Sequence, residues 1–162
     1  MLELCTIGYE NASWPSFLAT LRRAGIEHVI DVRQLPLSRR PGFSKSPLRA
    51  GLAEAGIGYL HLRALGTPPE GREANRRGQW DRFWPIVEAS LDTLEAKLAL
   101  GQAADAAQSR RGCLLCYEAD HRICHRLRVA EMLAADYGFG VEHLRVEADQ
   151  RPPETVTIEP HK

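Results

Sequence analysis

Short apolar runs that stop at a glycine or a charged residue alternate along this chain with stretches of helical spacing, and the alternation leaves few folds open to it. Residues 2–7 read as a buried strand halted by Gly8. Ser13 is placed to cap a helix with Pro15 in its first turn and Phe17, Leu18 and Leu21 on one face, and Gly25 ends it. A second strand, 28–32, leads into a loop over 34–45 rich in proline, glycine and serine. Ser46 and Pro47 open a short helix closed by Gly56, residues 57–62 form a third strand, and 66–78 read as a polar loop. From Trp80 to Leu100, Phe83, Trp84, Val87, Leu91, Leu94 and Leu98 recur at helical spacing, which predicts one helix stopped by Gly101. Residues 103–111 are a connection of no defined shape, 112–117 a buried strand, 127–137 a helix bounded by Gly138, and 141–146 a fifth strand.

Strand alternating with helix, over connections long enough for crossovers, predicts a single-domain α/β fold: an open, mostly parallel sheet of about five strands flanked by helices. That domain is expected over residues 1–150, with 151–162 as a peripheral C-terminal tail. At 162 residues and 44% hydrophobic, the chain can bury roughly two-thirds of the surface its unfolded form exposes. A formal net charge of zero gives no global basic field of the kind that marks many nucleic-acid binders, so local patches must carry any such argument. No stretch approaches the roughly 20 apolar residues needed to cross a bilayer, and the start of the chain has no basic segment followed by an apolar one. A cytoplasmic protein without a membrane partner is therefore expected, and Cys5, Cys113, Cys116 and Cys124 as reduced thiols. Nothing in the sequence fixes the oligomeric state.

Open parallel sheets bind ligands outside the carboxyl ends of their strands. This rule gathers Tyr9, Asp31 to Arg33, His61 and the segment 116–126 onto one edge. The segment packs two thiols (Cys116, Cys124), two imidazoles (His121, His125), two carboxylates (Glu118, Asp120) and two guanidiniums (Arg122, Arg126) into eleven residues. Cys124 opens a helix, where the helix dipole, His125 and Arg126 are expected to depress its thiol pKa. Cys116, Cys124 and His125 are candidates for nucleophile and base, with Glu118 and Asp31 as carboxylates that move a proton or pair with Arg33 or Arg126. An acid-free stretch over 34–53 carries Arg39, Arg40, Lys45 and Arg49, so Arg33, Arg39, Arg40 and Arg126, with Tyr9, are the candidate substrate-binding residues. Phe43 among these arginines offers a face to a nucleic-acid base.

Other chemistries compete for the same residues. Cys116 and Arg122 have the spacing of a cysteine-phosphatase loop, but Glu118 and Asp120 between them would repel phosphate and no glycine turns the amides inward. Asp31-Val32-Arg33 after a strand is similar to sulfurtransferase domains of the rhodanese type. Cys116, His121, Cys124 and His125 are ligand types that suit zinc or iron. Adjacent Cys124 and His125 at a helix start are not expected to converge on one ion, however, and Cys113 and Cys116 point to opposite faces of their strand. No cofactor is therefore expected, and zinc or iron stays an alternative.

Four groups of residues resemble the bacterial and archaeal domain of unknown function 488 family over about residues 6–146. They are Thr6-Ile7-Gly8-Tyr9; Asp31-Val32-Arg33 with Pro36, Ser38 and Arg39; Tyr59-Leu60-His61-Leu62 with Leu65 and Gly66; and Cys116-x-Glu118-x-Asp120 with Cys124-His125-Arg126. The resemblance implies a small α/β fold and a shared polar site built from those segments, and it names no reaction. His121 and Arg122 fall outside the family's pattern, where proline often follows the Asp120 position. The residues are together expected to make an enzyme acting on a phosphorylated or otherwise anionic substrate, whether metabolite, nucleotide or nucleic acid, as a cysteine-dependent hydrolase or transferase. A non-catalytic nucleotide or nucleic-acid binding module and a metal site are the alternatives.

Overall fold

Five of the apolar runs become strands: β1 (Glu3–Gly8), β2 (His28–Asp31), β3 (Gly58–His61), β4 (Gly112–Cys116) and β5 (Gly140–His143). The structure is a computed structural model that describes residues 2–147, and the tail assigned to 151–162 lies outside the described residues. Every strand pair is parallel, in the order β3-β2-β4-β1-β5. The fifth strand ends at His143, short of the Val146 the pattern suggested.

Six helices connect them: α1 (Trp14–Arg23), α2 (Lys45–Glu54), α3 (Pro69–Arg76), α4 (Trp80–Leu91), α5 (Leu94–Ser109) and α6 (His125–Tyr137). Side-chain alternation along the strands sorts the core into two layers. Cys5, Ile7, Val29, Cys113 and Leu115 meet Phe17 and Leu21 of α1 and Leu48 and Leu52 of α2 on one face. Leu4, Ile30, Leu114 and Cys116 meet α4, α5 and α6 on the other. Each fully buried leucine or phenylalanine in these layers contributes about 1.5–3 kcal/mol.

The long helix expected over residues 80–100 is two helices, and Gly101 lies inside the second. The chain breaks after Asp92, and Thr93 caps a new helix by accepting a hydrogen bond from the Ala96 amide at 3.1 Å. The restart turns a different face to the sheet. Leu94 and Leu98 are 70% and 64% exposed, while Ala96, Ala99, Ala103, Ala104 and Ala107 are buried. Small side chains let the helix lie close on the sheet, and a search for large apolar residues does not see them. The connection of no defined shape over 103–111 is, as far as Ser109, the continuation of this helix.

Residues 66–78, read as a polar loop, contain α3. Pro69 sits at its first position, where the missing N–H is harmless, and only Gly71 and Ala74 are buried. The rest of that helix is polar because it forms a wall of the site described next.

Candidate functional site

The carboxyl edge of the sheet opens into a cavity of about 930 Å³. One wall comes from the segment after β2, with Gln34, Leu37, Arg39 and Arg40, and from α3, with Arg72, Asn75 and Arg76. The opposite wall is Cys116, Tyr117, Glu118, Ile123 and His125. Five guanidiniums, of Arg33, Arg39, Arg40, Arg72 and Arg76, line it against two carboxyls, of Glu10 and Glu118. Arg39 and Arg40 are therefore where the sequence placed them, whereas Lys45 and Arg49 of the same basic stretch do not line the cavity.

Chemistry concentrates at the floor. Cys116 ends β4 and is 5% exposed, and Cys124 is the buried N-cap of α6, of which His125 is the first residue. The His125 Nε2 lies 2.8 Å from the Val32 carbonyl oxygen, an atom that can only accept, so Nε2 carries the proton. In the neutral imidazole Nδ1 is then the acceptor, and it faces the Cys116 sulfur at 3.5 Å. The Cys116 sulfur is also 3.7 Å from a Glu118 carboxylate oxygen. The Cys116 sulfur, the Cys124 sulfur and a His125 ring nitrogen all lie within 4.8 Å of one another, a Cys/Cys/His group within metal-binding distance. Cys124 and His125 thus do converge, against the expectation from their adjacency, because Cys124 is an extended N-cap residue and not part of the helix.

Burial sets the proton affinities here. The Cys124 thiol is pushed up to about 12 by burial and by the neighbouring Cys116 sulfur, which outweigh His125 and Arg126. The depressed thiol expected at this helix start is therefore corrected. A helix dipole is worth up to about 2 kcal/mol in favourable geometry, less than the cost of a thiolate sealed from water. Glu118 is raised to about 8, first by burial and then by Cys124, so its carboxyl is mainly protonated at neutral pH. Burial opposes charge on His125, but the Cys124 thiol, the Val32 carbonyl and Glu118 prevail and its pKa is raised.

The loop that carries Glu118 is fixed from beneath. A side chain at Gly8 would place its Cβ 1.8 Å from the Glu118 carbonyl oxygen, so only glycine lets the loop cross the end of β1. The Tyr9 and Glu10 amides donate to the Cys116 and Tyr117 carbonyls at 3.3 and 2.8 Å, and the Ala119 amide donates to the Glu10 carboxylate at 3.1 Å. Arg126 is fully buried and donates to the Glu118 carbonyl, to the Ala119 carbonyl at 3.4 Å and to the Thr6 hydroxyl at 3.1 Å. It does not line the cavity, so the candidate substrate-binding arginine instead positions the loop.

A second framework holds the β2 side. Arg33 donates to both oxygens of Asp31 at 2.9 and 2.8 Å, to the Tyr9 hydroxyl at 3.1 Å and to the Phe43 carbonyl at 2.7 Å. Tyr59 donates its hydroxyl to Asp31 at 2.6 Å, and His61 Nε2 donates to the Arg33 carbonyl at 2.7 Å. Asp31 is fully buried within these bonds and is not part of the lining, so it organises Arg33 and is not placed to take a proton from a ligand. Tyr9 reaches the cavity but is 3% exposed and stacks on Phe43 at 4.8 Å. Phe43 is itself fully buried against Phe17 and Trp14, which removes it as a stacking surface for a base.

Outside the cavity, His121 stacks on His143 at 3.8 Å instead of joining the cysteines. Arg122 is exposed, bonded to Asp120 at 3.0 Å, and absent from the lining, so the arginine that a phosphatase-type loop requires is not supplied. The residues that sequence reasoning missed are Gln34, Arg72, Asn75 and Arg76. Arg72 donates to Gln34 at 2.5 Å and to the Thr67 carbonyl at 3.0 Å, and Asn75 donates to the Ile123 carbonyl at 2.6 Å, which ties the two walls together. The signal for the last three was the Pro68-Pro69 pair followed by polar residues at positions 72, 75 and 76 of a helix.

The chain matches the family model described as "Domain of unknown function DUF488" over residues 13–133 and belongs to that family. No curated protein and no solved structure gives a match to it. Among the described residues, no helix is long and apolar enough to cross a membrane.

Proposed function

We propose that this member of the family is an enzyme that binds a phosphorylated or otherwise anionic substrate in the arginine-lined cavity and acts on it through the Cys116 thiol. The observation that carries the reading is the Cys116 sulfur 3.5 Å from His125 Nδ1 at the floor of that cavity, with the imidazole's other nitrogen tied to Val32. An imidazole so held takes the thiol proton as Cys116 attacks an electrophilic centre. Glu118, 3.7 Å from the sulfur and mainly protonated, supplies a proton to the leaving group. The substrate's anionic group lies against Arg39, Arg72 and Arg76, and water or a second substrate then releases the bound fragment. The activity is that of a hydrolase or a transferase, and a metabolite, a nucleotide or a nucleic-acid end all offer the required anion.

Alkylation by iodoacetamide tests this directly. Cys116 is expected to be modified first, inorganic phosphate or a nucleotide is expected to slow the reaction, and His125→Gln, which removes the proton acceptor beside the sulfur, is expected to slow the alkylation of Cys116. A Cys116 that reacts no faster than Cys113 counts against the nucleophile and for a binding module with inert thiols.

A second reading rests on the convergence of Cys116, Cys124 and His125. Two thiolates and an imidazole suit zinc, and iron less specifically, with a fourth position facing the cavity. Here metal would remain bound through purification, and Cys124→Ser would lower its stoichiometry.

A further inference from the structure

We infer that Cys116 is an oxidisable site with Cys124 as its resolving thiol, so that a hydroperoxide entering the cavity closes the two into a reversible disulfide that shuts off the chemistry proposed above. The inference rests on that reading in one respect, the reactivity of Cys116. Its own basis is an asymmetry of access. The two sulfurs are no more than 4.8 Å apart, but Cys116 lines the cavity whereas Cys124 is 0% exposed and does not. A small oxidant therefore meets Cys116 alone, and Cys124 is within reach of Cys116 alone.

His125 serves both steps, because its ring nitrogen lies within the same 4.8 Å of each sulfur. His125 Nδ1 takes the Cys116 proton as that sulfur attacks the peroxide. A sulfur–oxygen bond forms, the oxygen–oxygen bond breaks, and the leaving hydroxide or alkoxide takes the Nδ1 proton. Sulfur has been oxidised to the sulfenic acid and the peroxide reduced to water or an alcohol. Neutral His125 now accepts the Cys124 proton as that sulfur attacks Cys116. A sulfur–sulfur bond forms, the sulfur–oxygen bond breaks, and hydroxide leaves as water with the proton that His125 took. The sulfurs must approach from a separation of no more than 4.8 Å to about 2.05 Å for the bond to form. Cys5 and Cys113, sealed on the opposite face, have neither the imidazole nor the access.

The test uses the full chain, reduced and held in a chelator, exposed to hydrogen peroxide, quenched with iodoacetamide and digested with trypsin. Cleavage after Arg111, Arg122 and Arg126 puts Cys116 and Cys124 on separate peptides, 112–122 and 123–126. The expected result is a cross-linked pair of those peptides, reversed by dithiothreitol, with Cys113 unoxidised. In Cys124→Ala the same treatment is expected to carry Cys116 on to sulfinic acid. If that variant does not fold, the wild-type map decides alone. Sulfinic acid on wild-type Cys116 with Cys124 still alkylated overturns the resolving role. A Cys116 that alkylates rapidly yet yields no cross-link overturns this inference and leaves the thiol enzyme standing, and a Cys116 inert to both reagents brings down the two together.

Discussion

Two pairs of cysteines flank the same sheet, and they have been put to different ends. Cys5 and Cys113 are register partners on β1 and β4, both fully buried in the layer under α1 and α2. Burial raises the Cys5 thiol against the opposing pull of Arg111, and raises Cys113 well above its ordinary value. Cys116 and Cys124 belong to the other layer and are also buried. Burial is common to both pairs and so is not what makes a site. The second pair differs in having an oriented imidazole, a protonated carboxyl and an open wall. Strand geometry assigns the roles, because Cys113 and Cys116 are an odd number of positions apart and face opposite layers.

The comparison can be broken most forcefully at Arg126. Arg126→Met leaves the Glu118 and Ala119 carbonyls without their donor, and is expected to cost about 3 kcal/mol, roughly 5–10 °C in Tm. If the loop belongs only to the second pair, Cys116 alkylation changes in this variant while Cys5 and Cys113 stay protected below the transition. Protection lost equally at all four thiols would mean that the two layers do not act separately.

A smaller effect comes from Glu118, whose carboxyl lies 3.7 Å from the Cys116 sulfur. Its folded pKa of about 8 lies above its ordinary value, so the folded state holds the proton more tightly than the unfolded chain does. The stability from this proton is fully present below about pH 4.5, falls as pH rises, and is gone above about pH 8. Thermal melts of the wild type against Glu118→Gln are expected to diverge across that window, the wild type falling more steeply as pH rises and the glutamine variant declining less. Parallel curves would show that Glu118 is not held protonated.

The smallest effects lie at the mouth. Arg39→Gln and Arg76→Gln are each expected to weaken phosphate protection of Cys116 by about two- to fivefold, in keeping with exposed charge pairs worth up to about 1 kcal/mol. Raising the salt concentration is expected to mimic them. The reactivity of Cys5 and Cys113 is the control and is expected not to move.

The strands were legible because each apolar run ends at a turn residue, and the carboxyl-edge rule then gathered Cys116, Glu118, Cys124 and His125 at one edge of the sheet. What the sequence hid were relations between segments. Asp31, Arg33 and Arg126 look identical on paper whether they meet a substrate or other parts of the chain, and only packing shows that Asp31 and Arg126 are internal. The helix break at Thr93 was masked because Leu94 and Leu98 continue a stripe that faces outward, while alanines do the burying. A helix as polar as α3 has no apolar stripe to announce it.

The strand order gives the site a history in time. Within the sheet β1 leaves the ribosome before the other strands, yet its two neighbours, β4 and β5, are the last of the five to be made. The Gly8 crossing point and the Tyr9 and Glu10 amides are synthesised early and wait for a loop more than a hundred residues downstream. Pairings this distant in sequence close late. The thiol pocket is therefore assembled at the end of folding, and a chain interrupted before residue 116 carries the whole arginine wall but no reactive floor.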